Sequence, residues 1–160
     1  PDIFTMIAEG TFPGYKNFIQ IMIDGKTGEI VHKKSNGTYQ FASGVAVDLN
    51  NDGTDEIMFL KNKVDMETYA TTNQIEILDF KNDTSFTVGE IRNGACFSST
   101  PSIIDIDHDG KKELIFVYSN SFNEDQQYGK IECIELDITD PNPSFPCYLG
   151  PTENGVFIKN

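Results

Sequence analysis

The chain lacks several things, and each absence removes a class of function. It contains no run of 18 apolar residues, so no helix in it is long and apolar enough to cross a membrane, and direct membrane insertion is not expected. Basic residues are scarce: 12 Lys and Arg stand against 25 Asp and Glu, and the net charge is −13. Nucleic acid and anionic lipid both need a cationic face, so neither is an expected partner, and cation binding becomes the first question. Arginine occurs once, as Arg92. The three cysteines, Cys96, Cys133 and Cys147, form no C-x-x-C pair and are odd in number, which fits neither a zinc site nor a disulfide-rich miniprotein. The opening Pro1-Asp2-Ile3-Phe4 lacks the basic and apolar segments of a signal peptide and reads as a chain already processed or cut.

What is present suffices for one ordinary domain. At 160 residues, with 38% apolar residues and 13 Gly, the composition lies near the globular norm and permits a packed core. The organising feature is an internal repeat. Asp48-Leu-Asn-Asn-Asp-Gly-Thr-Asp-Glu56-Ile-Met-Phe-Leu60 aligns without a gap on Asp105-Ile-Asp-His-Asp-Gly-Lys-Lys-Glu113-Leu-Ile-Phe-Val117, 57 residues later. A second ladder, Ile19-Gln-Ile21, Ile75-Glu-Ile77 and Ile131-Glu-Cys133, recurs at a spacing of 56.

Each period reads as strands, because apolar residues alternate or form short runs bounded by Gly, Asn, Asp and Pro. The pattern predicts strands at 18–23, 29–33, 44–49, 56–61, 74–80, 85–91, 102–106, 113–118, 131–136 and 144–148, with no helix of more than a turn. Asp24-Gly-Lys-Thr-Gly28 and Lys81-Asn-Asp-Thr84 read as tight hairpin connections, whereas Lys61 to Asn73 and Ser119 to Lys130 read as long polar loops. Four antiparallel strands per 50 to 60 residues is the arithmetic of a β-propeller blade. The expectation is therefore an all-β fragment of a larger propeller: a partial blade at 17–34, complete four-stranded blades at 41–92 and 97–150, and a stub at 151–160. A self-contained sandwich of about ten strands is the alternative.

The two acidic segments have the composition of calcium loops. Calcium takes six to eight oxygen ligands, so its loop must gather carboxylates and turn sharply. In the first, Asp48, Asn50 and Asp52 occupy positions 1, 3 and 5, Gly53 permits the bend at 6, the Thr54 carbonyl is available at 7 and Glu56 closes at 9. In the second the same roles fall to Asp105, Asp107, Asp109, Gly110, the Lys111 carbonyl and Glu113. An EF-hand would need a Glu at position 12 and flanking helices. Position 12 is Phe59 in one segment and Phe116 in the other, and strand-like runs flank both, so two structural calcium ions on strand-bounded loops are the expectation. Acidic turns without any metal are the simpler alternative.

Phe41-Ala-Ser-Gly-Val-Ala-Val-Asp-Leu-Asn-Asn-Asp-Gly-Thr-Asp-Glu-Ile-Met-Phe-Leu60 resembles the FG-GAP or VCBS repeat of integrin-α-like propellers, and so does Phe97 to Val117. The resemblance covers about 20 residues of each unit and is confined to the calcium loop and its flanking strands. The Gly-Ala-Pro ending of integrin subunits is replaced by Phe59-Leu60 and Phe116-Val117, which places the likeness with the broader VCBS type. It implies structural calcium, a secreted or cell-surface location, and a non-enzymatic role in adhesion or assembly with protein or glycan partners, or with further blades from the same or another chain. It also implies partner contacts on the face opposite the calcium loops, through Glu67 or Tyr69 and through Phe122, Glu124, Asp125 and Tyr128, where ordinary solvated loops are the simpler alternative. The competing reading is a propeller-based carbohydrate lyase or hydrolase whose catalytic residues lie outside this segment.

Several residues remain with more ordinary expectations. Cys133 and Cys147 flank a turn-like stretch at equal distances from Asp140, so a hairpin there would set them opposite each other, bridged or as two buried thiols. Asn36-Gly-Thr38 and Asn82-Asp-Thr84 satisfy the N-glycosylation pattern in predicted turns, where ordinary turn residues also serve. His32 and His108 lie beside no Ser or Cys nucleophile and read as surface residues.

Overall fold

A computed structural model of the chain describes residues 2–11, 14–35, 42–96, 99–119 and 128–136. The described residues are all-β and form three small antiparallel sheets in chain order. The first contains β1 (Ile3–Thr11), β2 (Gly14–Ile23) and β3 (Ile30–Ser35). The second contains β4 (Val45–Val47), β5 (Glu56–Val64), β6 (Thr71–Asp79) and β7 (Thr84–Asn93), and the third β8 (Ser102–Ile104), β9 (Lys112–Ser119) and β10 (Gly129–Leu136). The strand expected at 144–148 and the stub at 151–160 lie outside the described residues.

Two cores hold the sheets in a stack with the second sheet in the middle. On one of its faces Val45, Val47, Met58, Leu60, Ile75 and Ile77 meet Ile103, Leu114, Phe116 and Tyr118 of the third sheet. On the other, Ile57, Phe59 and Leu78 meet Phe4 and Met6 of β1. Strand alternation dictates this division, since successive residues of β5 point to opposite faces and both faces are covered. All five residues from Glu56 to Leu60 are buried, which is why that run is nearly continuously apolar in sequence. Arg92 ties the second and third sheets together: its Nε lies 2.8 Å from Glu132 Oε1, its Nη2 lies 2.7 Å from the same oxygen, and its guanidinium sits 5.0 Å from the centre of the Phe116 ring. Between the first and second sheets, Glu76 is 3% exposed and receives Lys61 at 2.9 Å and Lys34 at 3.8 Å.

Four expectations need correction. The first sheet has a strand, β1, that the sequence pattern did not predict, so the segment read as a partial blade at 17–34 belongs to a three-stranded unit reaching back to Ile3. Only Phe4 and Met6 of β1 are even partly buried while Ile3 and Ile7 are about half exposed, so its apolar residues occupy both faces and erase the alternation that marks a strand. The supposed long loop from Lys61 to Asn73 is a six-residue hairpin connection, because β5 runs on through Val64 and β6 starts at Thr71. Its polar residues misled: Asn62 and Asn73 are fully buried and bond backbone in 94–96, with Asn62 exchanging two 2.8 Å hydrogen bonds with Cys96 and Asn73 Nδ2 donating to Gly94 O. Cys133 is a free, exposed thiol rather than half of a bridge, and Cys147 lies outside the described residues. His32 is partly buried, packed edge-on against Phe80 at 5.0 Å, whereas His108 is exposed.

The repeat survives in the second and third sheets and breaks in the first. Residues 10 and 12 of the two acidic segments, Ile57 with Phe59 and Leu114 with Phe116, all face the preceding sheet. In the first sheet Met22 lies opposite Phe4, on the face that meets the second sheet, so alternation turns Ile19 and Ile21 away from it. Their counterparts Ile75 and Ile77 point toward the next sheet instead. The first sheet is thus turned over relative to the other two.

Candidate metal centre

Each acidic loop connects two strands of its sheet, 48–55 between β4 and β5 and 105–111 between β8 and β9. Gly44 helps set the approach to the first: a Cβ there would fall 2.7 Å from Ile57 Cγ2, so only glycine lets the chain lie this close to β5. Both loops then follow one backbone path. Position 4 is left-handed in each, Asn51 at φ 57° and His108 at φ 62°, and so is position 6, Gly53 at 83° and Gly110 at 93°. Two left-handed turns within three residues curl the chain around the side chain at position 1. Asp48 accepts hydrogen bonds from the Asp52 and Gly53 amides at 3.0 and 2.8 Å, and Asp105 accepts from Gly110 at 3.2 Å.

Position 9 secures the loop from behind. Glu56 and Glu113 are buried at the first turn of their strands, and each accepts the amide of position 2, Leu49 or Ile106, at 2.8 Å. In the first loop Asn50 Nδ2 also donates to the other Glu56 oxygen at 3.1 Å. Burial pushes the Glu56 carboxyl above its ordinary range, and the charges of Asp79, Asp52 and Asp48 add to that effect while the Leu49 amide opposes it.

The loops differ in what faces their acids. In the second, one carboxylate oxygen from each of Asp105, Asp107 and Asp109 comes within 4.8 Å of the others. Two ligands at about 2.4 Å from one calcium ion can be at most about 4.8 Å apart, so this spacing fits a shared ion. Asp105 Oδ1 is moreover buried without a hydrogen-bond partner. Asp109 Oδ1 accepts the Lys111 amide at 2.8 Å, and the Lys111 side chain turns away to Glu135, 2.6 Å distant. In the first loop a lysine is already present. Lys81 Nζ lies 3.0 Å from Asp52 Oδ2 and 3.0 Å from the Asp52 carbonyl oxygen. This contact holds the Asp52 carboxyl below its usual range. Thr54 is exposed, its amide bonded to Asp52 Oδ1 at 3.0 Å.

Sequence reasoning named ten residues on the two loops, of which the structure gathers the carboxylates of Asp105, Asp107 and Asp109, and it passed over Lys81 and Asp79, which come from β6 and its hairpin to β7. Asp79 is buried, accepts from the Asn82 amide at 2.9 Å and from Asn82 Nδ2 at 2.7 Å, and raises the charge density beside Glu56. The signal was topological: a tight hairpin after β6 returns the chain to the end of the sheet where the acidic loop lies.

The hairpin of residues 65–70 lies at the opposite end of β5, with Met66, Glu67 and Tyr69 exposed and Tyr69 in the left-handed region at φ 57°. Tyr128 is half exposed, with Lys130 Nζ 5.6 Å from its ring centre. Phe122, Glu124, Asp125 and Asn36 lie outside the described residues, and Asn82 is exposed on its hairpin. Comparison with family models, curated proteins and solved structures finds no match for this chain.

Proposed function

We propose that this chain is a calcium-stabilised segment of a β-propeller of the FG-GAP or VCBS type, extracellular, in which the second and third sheets are consecutive blades. The metal stiffens a binding or adhesion module whose partners are protein or glycan, or further blades. The observation that carries the reading is the second acidic loop: three convergent carboxylates, one with a buried and unpartnered oxygen, on a backbone path that the first loop repeats. Asp105, Asp107 and Asp109 would hold the ion, with the Lys111 carbonyl and Glu113 completing the set, and Asp48, Asn50, Asp52, the Thr54 carbonyl and Glu56 would do so in the first loop. A bound cation relieves the mutual repulsion of these acids and fixes the loop between its strands.

The blade assignment draws support from the way the third sheet repeats the second. Ile115 and Val117, the counterparts of Met58 and Leu60 by the 57-residue spacing, alternate with Leu114 and Phe116 and so face away from the second sheet, and Val117 is 40% exposed. Ile104 and Ile131 are also exposed, at 50% and 77%. A following blade would cover this face as the third sheet covers Met58 and Leu60.

The test is thermal melting of the protein with calcium and with chelator. Calcium at about 100 times its dissociation constant contributes ~2.7 kcal/mol per site, and a chain of this size then melts roughly 5–10 °C higher. Equal midpoints at saturating calcium overturn the metal reading. Magnesium should give a smaller rise, because it demands tighter octahedral geometry and gives up water reluctantly.

A further inference from the structure

The Lys81 ammonium occupies one carboxylate of the first loop's ligand frame. It bonds a carboxylate oxygen and the carbonyl oxygen of one residue, Asp52, which holds position 5 of the ligand frame. The lysine reaches them from a different element, the hairpin between β6 and β7, whose turn is set by the Asp79–Asn82 bonds. In the second loop the lysine within the loop is drawn off to Glu135, and the carboxylates converge on one another instead.

We infer that Lys81 is a tethered cation that competes with the metal for the first loop, so that the two loops load in order, the second before the first. The inference rests on the calcium reading. An ammonium group and a divalent ion seek the same oxygen lone pairs, and Asp52 Oδ2 cannot serve both at bonding distance. Metal binding at the first loop therefore includes breaking the Lys81 contact, whereas binding at the second does not. Exposed ion pairs of this kind are worth at most about 1 kcal/mol, so the handicap on the first loop is up to about fivefold in affinity.

The experiment is calcium titration by calorimetry of the whole chain, of Asp105→Ala, which silences the second loop, and of Asp105→Ala combined with Lys81→Met or Lys81→Arg. The expected result is two classes of site in the unaltered chain and one weak class in Asp105→Ala. Lys81→Met should tighten that remaining site up to about fivefold, and Lys81→Arg, which keeps the charge, should leave it weak. A remaining site that Lys81→Met leaves unchanged overturns the competition while the calcium reading stands; no calcium uptake by any form overturns both. Amine-reactive labelling of the unaltered chain keeps the question open to test should the variants fail to fold. Lys81 should react faster at calcium concentrations that fill the first loop, and a rate unmoved by calcium at that loading counts against the inference.

Discussion

The second and third sheets are close to one design carried out in two settings. Their acidic loops share a backbone path down to the left-handed residues, and in both the apolar pair after the closing glutamate faces the preceding sheet. The settings diverge around that common part. The second sheet is covered on both faces and its loop holds a lysine from a neighbouring hairpin, while the third sheet has one exposed face and a loop whose carboxylates face each other. Local sequence fixes the loop's shape, and the neighbours decide its charge balance.

The strongest challenge to that likeness is a pair of core truncations. Phe59 and Phe116 occupy matching positions and are 0% and 1% exposed. Phe59→Ala and Phe116→Ala should each cost about 3–5 kcal/mol in chemical denaturation, since each leaves a ring-sized void between sheets. Losses that differ by more than about 2 kcal/mol would show that the two sheets are not equivalent in packing.

A smaller effect isolates what joins the two sheets. The Arg92 guanidinium bonded to Glu132 holds that carboxyl below its ordinary value of 4.5. A carboxylate with a depressed folded-state pKa adds stability above its unfolded value and loses it as the pH falls through the folded one. Stability should therefore drop on acidification below about pH 4.5 by roughly 1–2 kcal/mol from this pair, a partly exposed charge-assisted contact. In Arg92→Met that part of the pH dependence should vanish, as measured by denaturant midpoints between pH 3 and 6. An unchanged profile would mean that the two sheets do not depend on the pair.

The smallest expected change bears on the shared turn. Gly53→Ala and Gly110→Ala each place a Cβ at a positive φ, with open space around it, so the cost is backbone strain alone, about 1 kcal/mol. Matching losses in thermal melts support the common path; a loss at only one would separate the loops.

Much of this was legible before any coordinates. The alternating and clustered apolar runs located nine of the strands, and the two tight hairpins fall where Asp24–Gly28 and Lys81–Thr84 predict them. The loops' acids were legible because their spacing repeats. What was hidden depended on partners distant in sequence. Asn62 and Asn73 look like loop residues until the backbone at 94–96 satisfies them, and Lys81 looks like a turn lysine until its hairpin is folded beside Asp52. The turned-over first sheet was equally hidden, since Ile19-Gln-Ile21 matches the ladder residue by residue while it is the even-numbered residues Gln20 and Met22 that pair with Met6 and Phe4 on the face toward the second sheet.

The buried glutamates at position 9 carry a kinetic consequence. Glu56 and Glu113 clasp the start of each loop through an amide 7 residues earlier in the chain. If the loops take the ion proposed above, it meets a cradle already wound, and little chain entropy is surrendered on capture. Exchange at these loops should be governed by shedding of water from the ion, on a timescale far shorter than that of refolding.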